Sequence, residues 1–365
     1  MTKRRAVVAM SGGVDSSVTA ALLVEAGYDV TGIMLKLWRG DEINHSSGCC
    51  NLGAADDARR VADVLGIPFY VLNFAERFED TVVRNFKDDY VSGRTPNPCV
   101  RCNQWIKFDA LFERAKAFGA DVLATGHYAR VRETNGRFRL MRGNDPSKDQ
   151  SYVLWMLRQD QLESCRFPVG EMNKTETRRL AERLGLRTAR KPDSQEICFV
   201  RNGDFDAYVS EQLGAAGEPG LVTDTSGKVV GRHRGIGRYT IGQRKGLGIS
   251  LGVPVFVTSI DVDSNSIVVG GRAELEVSGF YAGEASFTGD RPGDGTPVWV
   301  QHRAHGEVNE ATLLRVGNGR FEVRYEGPVA AVAPGQSAAL YSRTNPDELI
   351  GGGVIDSTVP ARAAV

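Results

Sequence analysis

The chain has 365 residues, 41% hydrophobic and 25% charged, the make-up of a globular protein with two or three domains and ample core. No run approaches the ~18 apolar residues of a membrane span, and Met1-Thr2-Lys3-Arg4-Arg5 leads straight into an apolar segment, so neither an anchor nor a secretory leader is expected and the location read from this is cytoplasmic. Basic and acidic residues number 45 each, which excludes a uniformly charged protein but hides a local bias described below.

Arg4-Arg5-Ala6-Val7-Val8-Ala9-Met10 reads as a buried strand. Ser11-Gly12-Gly13-Val14-Asp15-Ser16-Ser17 follows, and then a helix that closes on Gly27. Strand, glycine turn and helix N-terminus together bare backbone N–H groups beside a positive helix end, so the expected guest is a phosphate. Ser11, Ser16 and Ser17 add hydroxyls. The common P-loop is excluded because its lysine is missing. Tyr28 to Leu35 reads as a second strand, 37–51 as a polar loop carrying Cys49 and Cys50, and Ala54, Ala58, Val61, Ala62 and Leu65 mark a helix face. Pro68 to Leu72 is a third strand, 75–90 a helix, 93–103 a break with two prolines, and Asp121 to His127 a fourth strand. Strands alternating with helices argue for a parallel sheet, and the glycine turn sits at the carboxyl end of its first strand, where such sheets bind ligands.

Beyond Val131 the period changes. Thr134-Asn135-Gly136-Arg137 is a hairpin turn, and Asn173-Lys174-Thr175-Glu176 is a capping box that opens a helix stopped by Gly185. After about 205 the helical signal fades into glycine-rich, alternating runs. From about 275 short strands at 297–300, 311–316, 321–325 and 337–341 predict a small barrel. Between Thr225 and Ile260 there is no acid, yet Lys228, Arg232, Arg234, Arg238, Arg244 and Lys245 are present, with His233. Such a stripe suits phosphate-backbone contact. From Asp261 onward there are 14 acids and 8 bases.

The six cysteines of a cytoplasmic chain stay reduced and serve catalysis or metal binding in preference to stapling. Asn97-Pro98-Cys99-Val100-Arg101-Cys102-Asn103 and the distant Lys191-Pro192-Asp193-Ser194-Gln195-Glu196-Ile197-Cys198-Phe199 allow three readings. They are an iron–sulfur or other metal site with three thiolates, a redox or sulfur-transfer pair, and buried small hydrophobes. Polar, proline-bearing sequence makes both segments exposed loops and disfavours the last. Cys49, Cys50 and Cys165 read as structural thiols, and Tyr152 and Trp155 as core.

Six motifs occur in order: Ser-Gly-Gly-Val-Asp-Ser, Asn-Pro-Cys-x-x-Cys-Asn, Thr125-Gly126-His127-Tyr128-Ala129, Lys148-Asp149-Gln150-Ser151-Tyr152, Ser194 to Phe199, and Tyr239-Thr240-Ile241-Gly242-Gln243-Arg244-Lys245-Gly246-Leu247-Gly248. The first resembles the pyrophosphate loop of the N-type ATP pyrophosphatases, and the set resembles the tRNA-specific 2-thiouridylases. That resemblance implies an α/β fold: a PP-loop ATP-binding catalytic domain with a parallel sheet over 1–205, a small mainly-β tRNA-contacting domain over 206–274, and a C-terminal β-barrel over 275–365. It implies ATP, with Mg2+, held by Ala9, Met10, Ser11, Gly12, Gly13, Val14, Asp15 and Ser16, with Met34 and Gly126 lining the adenosine pocket. Cys198 would carry a persulfide and Cys102 would close a disulfide with it. Asn97, Pro98 and Cys99 would meet the target base, and Lys148, Asp149, Gln150, His127 and Gln336 would touch tRNA. The family's Arg-Tyr contact falls on Gln301-His302, and Cys99 stands where some members have an aspartate proposed as acid/base. The implied partners are wobble-uridine tRNAs for Lys, Glu and Gln, and a cysteine desulfurase or sulfur-relay protein, with no membrane.

The chemistry is coherent on its own terms. The C2 oxygen of uracil leaves poorly until adenylated. The incoming atom must be a soft, ionised sulfur, and a persulfide releases its outer sulfur when a second thiolate attacks the inner one. Other readings are an adenylating ligase or amidotransferase partner, which needs neither Cys102 nor Cys198; an RNA thiolase with an iron–sulfur cluster on Cys99, Cys102 and Cys198; and a plain RNA-binding protein, which needs no pyrophosphate loop.

Overall fold

The computed structural model describes residues 3–37, 52–193, 197–200 and 204–361. Cys49, Cys50 and Ser194 to Glu196 lie outside them. A five-stranded sheet, β1 (Arg5–Ala9), β2 (Asp29–Lys36), β3 (Phe69–Asn73), β4 (Val122–Thr125) and β7 (Cys165–Arg166), runs in the order β3-β2-β1-β4-β7 with every pair parallel. Both faces are covered, as a parallel sheet requires. Ala6, Val8 and Met10 pack with α1 (Val14–Glu25), α2 (Leu52–Leu65) and the later helix Lys174–Arg183. Val7, Ile33 and Leu35 pack on the other face against two helical runs, α3 (75–91) and α4 (98–117), each of which widens into π-helical turns. Strand order reverses at β1, so the turn between β1 and α1 opens into the crevice beside β4.

Asn135 and Gly136 both hold positive φ, 53° and 70°, and join β5 (Ala129–Thr134) to β6 (Arg137–Arg142). This hairpin leaves the parallel sheet. Through Leu140 and Met141 it pairs with Leu349 and Glu348 of the last strand. Next come α5 (Gln159–Ser164), the capping-box helix α6 (Lys174–Arg183), and α7 (Phe205–Gln212). The last of these corrects the expectation that helix fades at 205, since Asp204 caps it by accepting from the Ala207 amide at 2.9 Å. A four-stranded sheet follows, β8 (Gly220–Asp224), β9 (Val229–His233), β10 (Phe256–Asp261) and β11 (Ser266–Gly270), in the order β10-β11-β8-β9.

The C-terminal barrel is antiparallel. It comprises β12 (Glu276–Phe287), β13 (Pro297–Gln301), β14 (Val308–Gly317), β15 (Arg320–Ala330), β16 (Ser337–Ser342) and β17 (Glu348–Pro360), and β12 pairs with both β15 and β17 to close it. The long β12 and β17 are additions to the strands expected from sequence. Trp155 and Tyr152, core residues as expected, are at most 1% exposed. The Trp155 side chain fills the space over Gly352 of β17, and the Tyr152 hydroxyl donates to Ser337 O at 2.9 Å. Among the described residues no helix is long and apolar enough to cross a membrane.

Candidate active site

The turn between β1 and α1 is built for close approach. Gly12 has φ +70°, and a Cβ there would lie 2.2 Å from Ala54 O of α2. Gly13 caps α1 with no side-chain hydrogen bond, an arrangement in which the first-turn N–H groups of a helix suit an anion. The Ser11 amide donates to Ser16 Oγ at 3.1 Å, and the two hydroxyls lie 3.3 Å apart. Ser16 and Ser17 are both buried and both hydroxyls donate back to Gly13 O, at 3.2 and 2.8 Å; Ser17, fully buried, serves the helix. Gly126, at the end of β4, abuts this turn, and a Cβ on it would meet Ser16 N at 2.7 Å. Ala9 ends β1; Met10, Val14 and Met34 are buried supports, with the Met10 amide donating to Ile33 O.

Lysines from elsewhere in the fold reach the turn. Lys174, the first residue of α6, places Nζ 2.8 Å from Asp15 Oδ1 and 2.8 Å from Asp193 Oδ1. Lys148 Nζ lies 2.8 Å from Asp193 Oδ2, and Arg178 donates to the same carboxylate at 3.0 Å. Lys191 Nζ donates to Gly12 O at 3.0 Å and pairs with Asp57. The Tyr128 hydroxyl donates to Asp15 Oδ1 at 2.9 Å; burial and then the Asp15 charge push its pKa up. Burial disfavours the Asp193 charge, but Lys148 and Lys174 outweigh it and hold its pKa below the usual value. Sequence reasoning missed Lys174, Arg178, Tyr128 and Asp193 as a set. The available signal was Lys174 inside the capping box.

The segment expected as a loop at Asn97–Asn103 is helix. Asn97 accepts from the Val100 amide at 3.3 Å, and Pro98 takes the first helical position, where its missing N–H costs nothing. Cys99 is exposed on the first turn of α4, and Cys102 begins its π-helical stretch, half-buried. Cys198 is half-buried and packs on the same core cluster as Cys102. Its neighbour Phe199 sets its ring edge-on to Phe78 and Phe86 of α3, at 5.9 and 4.9 Å between centroids. The structure therefore brings both thiol segments to α3. Cys165 is buried, which pushes its thiol pKa up, as a structural role expects. Among the described residues no three His, Cys, Asp or Glu side chains converge as a metal needs, so Cys99, Cys102 and Cys198 are not gathered as cluster ligands.

Of the residues assigned to tRNA, His127, Gln301 and His302 are buried, Cys99 and Gln150 are exposed, and Asn97, Pro98, Lys148, Asp149 and Gln336 are half-buried. His127 is 7% exposed and hydrogen-bonds Thr125 Oγ1 at 2.6 Å, with burial holding its pKa well below the usual value. Asp149 accepts from Arg142, Gly143 N and Ser151, and Gln150 Oε1 accepts from Tyr128 N. Gln301 and His302 are buried, Gln301 accepting from Arg142. Gln336 donates to Thr95 O and Pro96 O, at the threshold of α4. In the basic stripe Lys228, Arg232, Arg234, Arg244 and Lys245 are exposed, whereas His233 is buried and Arg238 is bound to Asp206 at 2.9 Å.

Residues 4–202 match the family described as tRNA methyl transferase HUP domain, 206–271 the tRNA methyl transferase PRC-barrel domain, and 277–355 the aminomethyltransferase beta-barrel domain. The chain is 45% identical over 360 residues to the tRNA-specific 2-thiouridylase MnmA of Clostridium perfringens, covering 98% of this chain and 99% of that protein. It is 45% identical to the protein of that name from Carboxydothermus hydrogenoformans (97% and 98% covered) and 46% identical to that from Moorella thermoacetica (96% and 99%). By identity of this extent over nearly its whole length, the chain belongs to the tRNA-specific 2-thiouridylase family.

Proposed function

We propose that the chain is an ATP-dependent tRNA-uridine 2-sulfurtransferase acting on the wobble uridine of tRNAs for Lys, Glu and Gln. The observation that supports this is the pairing of two features in one chain: a glycine turn approached by Lys174 and Lys191, and two partly exposed thiols, Cys102 and Cys198, on segments that pack on one core cluster. ATP is a substrate, its phosphates over Gly12, Gly13 and the first turn of α1. Mg2+ would take most of its ligands from the triphosphate itself, with Asp15 the nearby carboxylate of the turn. The uracil C2 oxygen attacks the α-phosphorus and pyrophosphate leaves. A desulfurase or relay protein loads Cys198 as a persulfide. The Cys102 thiolate then attacks the inner sulfur, a Cys102–Cys198 disulfide forms, and the outer sulfur departs as hydrosulfide to replace AMP at C2. An external dithiol restores both thiols. The balance is two electrons, from the thiol pair to the sulfane sulfur.

The working division is a catalytic unit over 1–205, which lends its 129–142 hairpin to the barrel, a tRNA-contacting unit over 206–274 and the barrel over 275–365, in a cytoplasmic enzyme. An adenylating ligase without sulfur chemistry is the alternative to beat. The deciding experiment mixes the protein with a desulfurase, cysteine, ATP and unmodified tRNA and reads 2-thiouridine by mass spectrometry. Wild type makes it. Cys198→Ser releases pyrophosphate without thiolation, and Cys102→Ser accumulates persulfide on Cys198 and stalls. Full thiolation by either variant overturns the reading.

A further inference from the structure

Strand β12 of the barrel carries Glu284 at φ +50°. A glutamate rarely holds this left-handed backbone and does so only where its surroundings enforce it. Pairing with β17 slips at the same place: Gly283 faces Val354, but Ser286 faces Gly352. Such a bulge re-aims a side chain. Glu284 leaves the barrel wall and grips Arg101 with both oxygens, at 2.5 Å to each guanidinium nitrogen. Arg101 immediately precedes Cys102. Its side chain is 8% exposed, lies 4.7 Å from the Trp105 ring centre and donates to Gln104 Oε1 at 3.0 Å, so it is fixed along the turn that carries Cys102. The barrel grips this helix end a second time. The Thr95 amide donates to Pro334 O at 2.8 Å, and Gln336 donates to the Thr95 and Pro96 carbonyls.

We infer that Glu284 is a positioning residue for the Cys102 thiol: by holding Arg101, the barrel sets the turn from which Cys102 reaches the sulfur on Cys198. The importance of that reach rests on the proposed function; the holding of the turn does not. Arg94, Asp89 and Asp356 complete the charged cluster, with Arg94 bound to Asp89 at 3.0 Å and 3.9 Å from Asp356. Arg101 hydrogen bonding keeps the Glu284 carboxyl below its usual pKa, so the pair is charged at neutral pH.

The test uses the full chain as wild type, Glu284→Gln and Glu284→Asp. Iodoacetamide pulses followed by peptide mass spectrometry give an alkylation rate for each cysteine, and tRNA-dependent pyrophosphate release is read in parallel. With the carboxylate gone, the turn loosens and the Arg101 charge is left uncompensated, and both changes favour attack by Cys102 on a small reagent. Cys102 alkylation is expected to rise at least fivefold in Glu284→Gln, while Cys198 alkylation and pyrophosphate release stay within twofold. Disulfide closure with persulfide-loaded Cys198 is expected to slow about tenfold, and Glu284→Asp to recover part of both changes. If Cys102 alkylation is unchanged, or if all three rates shift together, Glu284 is a general brace and the inference falls. If Glu284→Gln does not fold, Glu284→Gly, which relieves the backbone while removing the carboxylate, carries the same expectations. If wild type makes no 2-thiouridine but the alkylation pattern holds, the proposed function fails and the positioning role stands.

Discussion

Lys174 reaches the glycine turn from the first residue of α6. Its Nζ is shared by Asp15 and Asp193, and its side chain is 12% exposed. An arriving triphosphate adds negative charge where two carboxylates already compete for one ammonium, so Lys174 is the cation with most to gain from the nucleotide. Lys174→Met should raise the dissociation constant of a non-hydrolysable ATP analogue at least tenfold by calorimetry, worth about 1.4 kcal/mol. Unchanged affinity would return Lys174 to a purely structural role. The pH dependence of stability is set in part by His302. Burial, then the Arg303 charge, lowers its pKa from 6.5 to about 4. The unfolded chain therefore binds the proton first. Stability from this residue is intact above 6.5 and lost as pH falls toward 4, about 2 kcal/mol between pH 7 and pH 5. Asp193 and Glu284, with pKa values held down, run the same way at lower pH, losing their contribution only as pH falls below the usual carboxylate range. Thermal melts of His302→Gln between pH 7 and pH 5 should show a shallower fall than wild type.

Helix α4 shows how a two-residue signal decides an element. Asn97 and Pro98 are a cap and a first helical residue, and removing the cap by Asn97→Ala should cost about 1 kcal/mol, read as a lower melting temperature with α4 most affected in hydrogen exchange. Two prolines within three residues, Pro96 and Pro98, look like a loop by composition, and only the capping geometry distinguishes a helix start. The strand, glycine turn and helix at the N-terminus were legible because their signal is local: Gly12, Gly13, Asp15 and Ser16 are nearly contiguous. The capping box at Asn173 was legible for the same reason, and Glu176 returns the bond to the Asn173 amide at 2.8 Å. The Lys174–Asp193–Lys148 cluster was not, because ion pairs across separate elements have no period. Strands β12 and β17 were hidden by glycines that serve packing. A Cβ at Gly279 would lie 2.1 Å from Val323 O, and at Gly352 2.7 Å from the Trp155 ring. Glycine erases the alternation that marks a strand at the places where the barrel is tightest. Gly12→Ala tests the reverse case, where glycine is required by approach to Ala54 and by its φ; it should abolish pyrophosphate release and leave tRNA affinity within twofold.

At the scale of the whole molecule, the neutral total hides an unequal distribution of charge, and on the proposed function that distribution is what would gather an RNA polyanion. The 225–260 segment carries its exposed bases on β9 (Arg232) and on the glycine-rich connections on either side of it and before β10, whereas the barrel that follows is acidic. Fixed internal pairs reduce the number of cations free for a partner. Arg238 is committed to Asp206, and Arg142 lies over Tyr341 and reaches Asp149, so neither is spare. Arg244 and Lys245 are exposed, in the Gly242 to Gly248 turn. Charges of this kind act through phosphate contacts and counterion release, which carry little sequence information. Reversing both in Arg244→Glu/Lys245→Glu should therefore weaken all tRNAs together, cognate or not. The slope of log affinity against log salt should become shallower by roughly 1.5 to 2, because two phosphates are no longer neutralised. Reversal at Arg238 is the control: it breaks the Asp206 tie and should lower thermal stability without a matching change in slope. Fluorescence titration of a wobble-uridine tRNA and a non-substrate tRNA at several salt concentrations separates these outcomes. An unchanged slope in the Arg244/Lys245 variant would make the turn an ordinary solvated surface and move the RNA-binding face elsewhere.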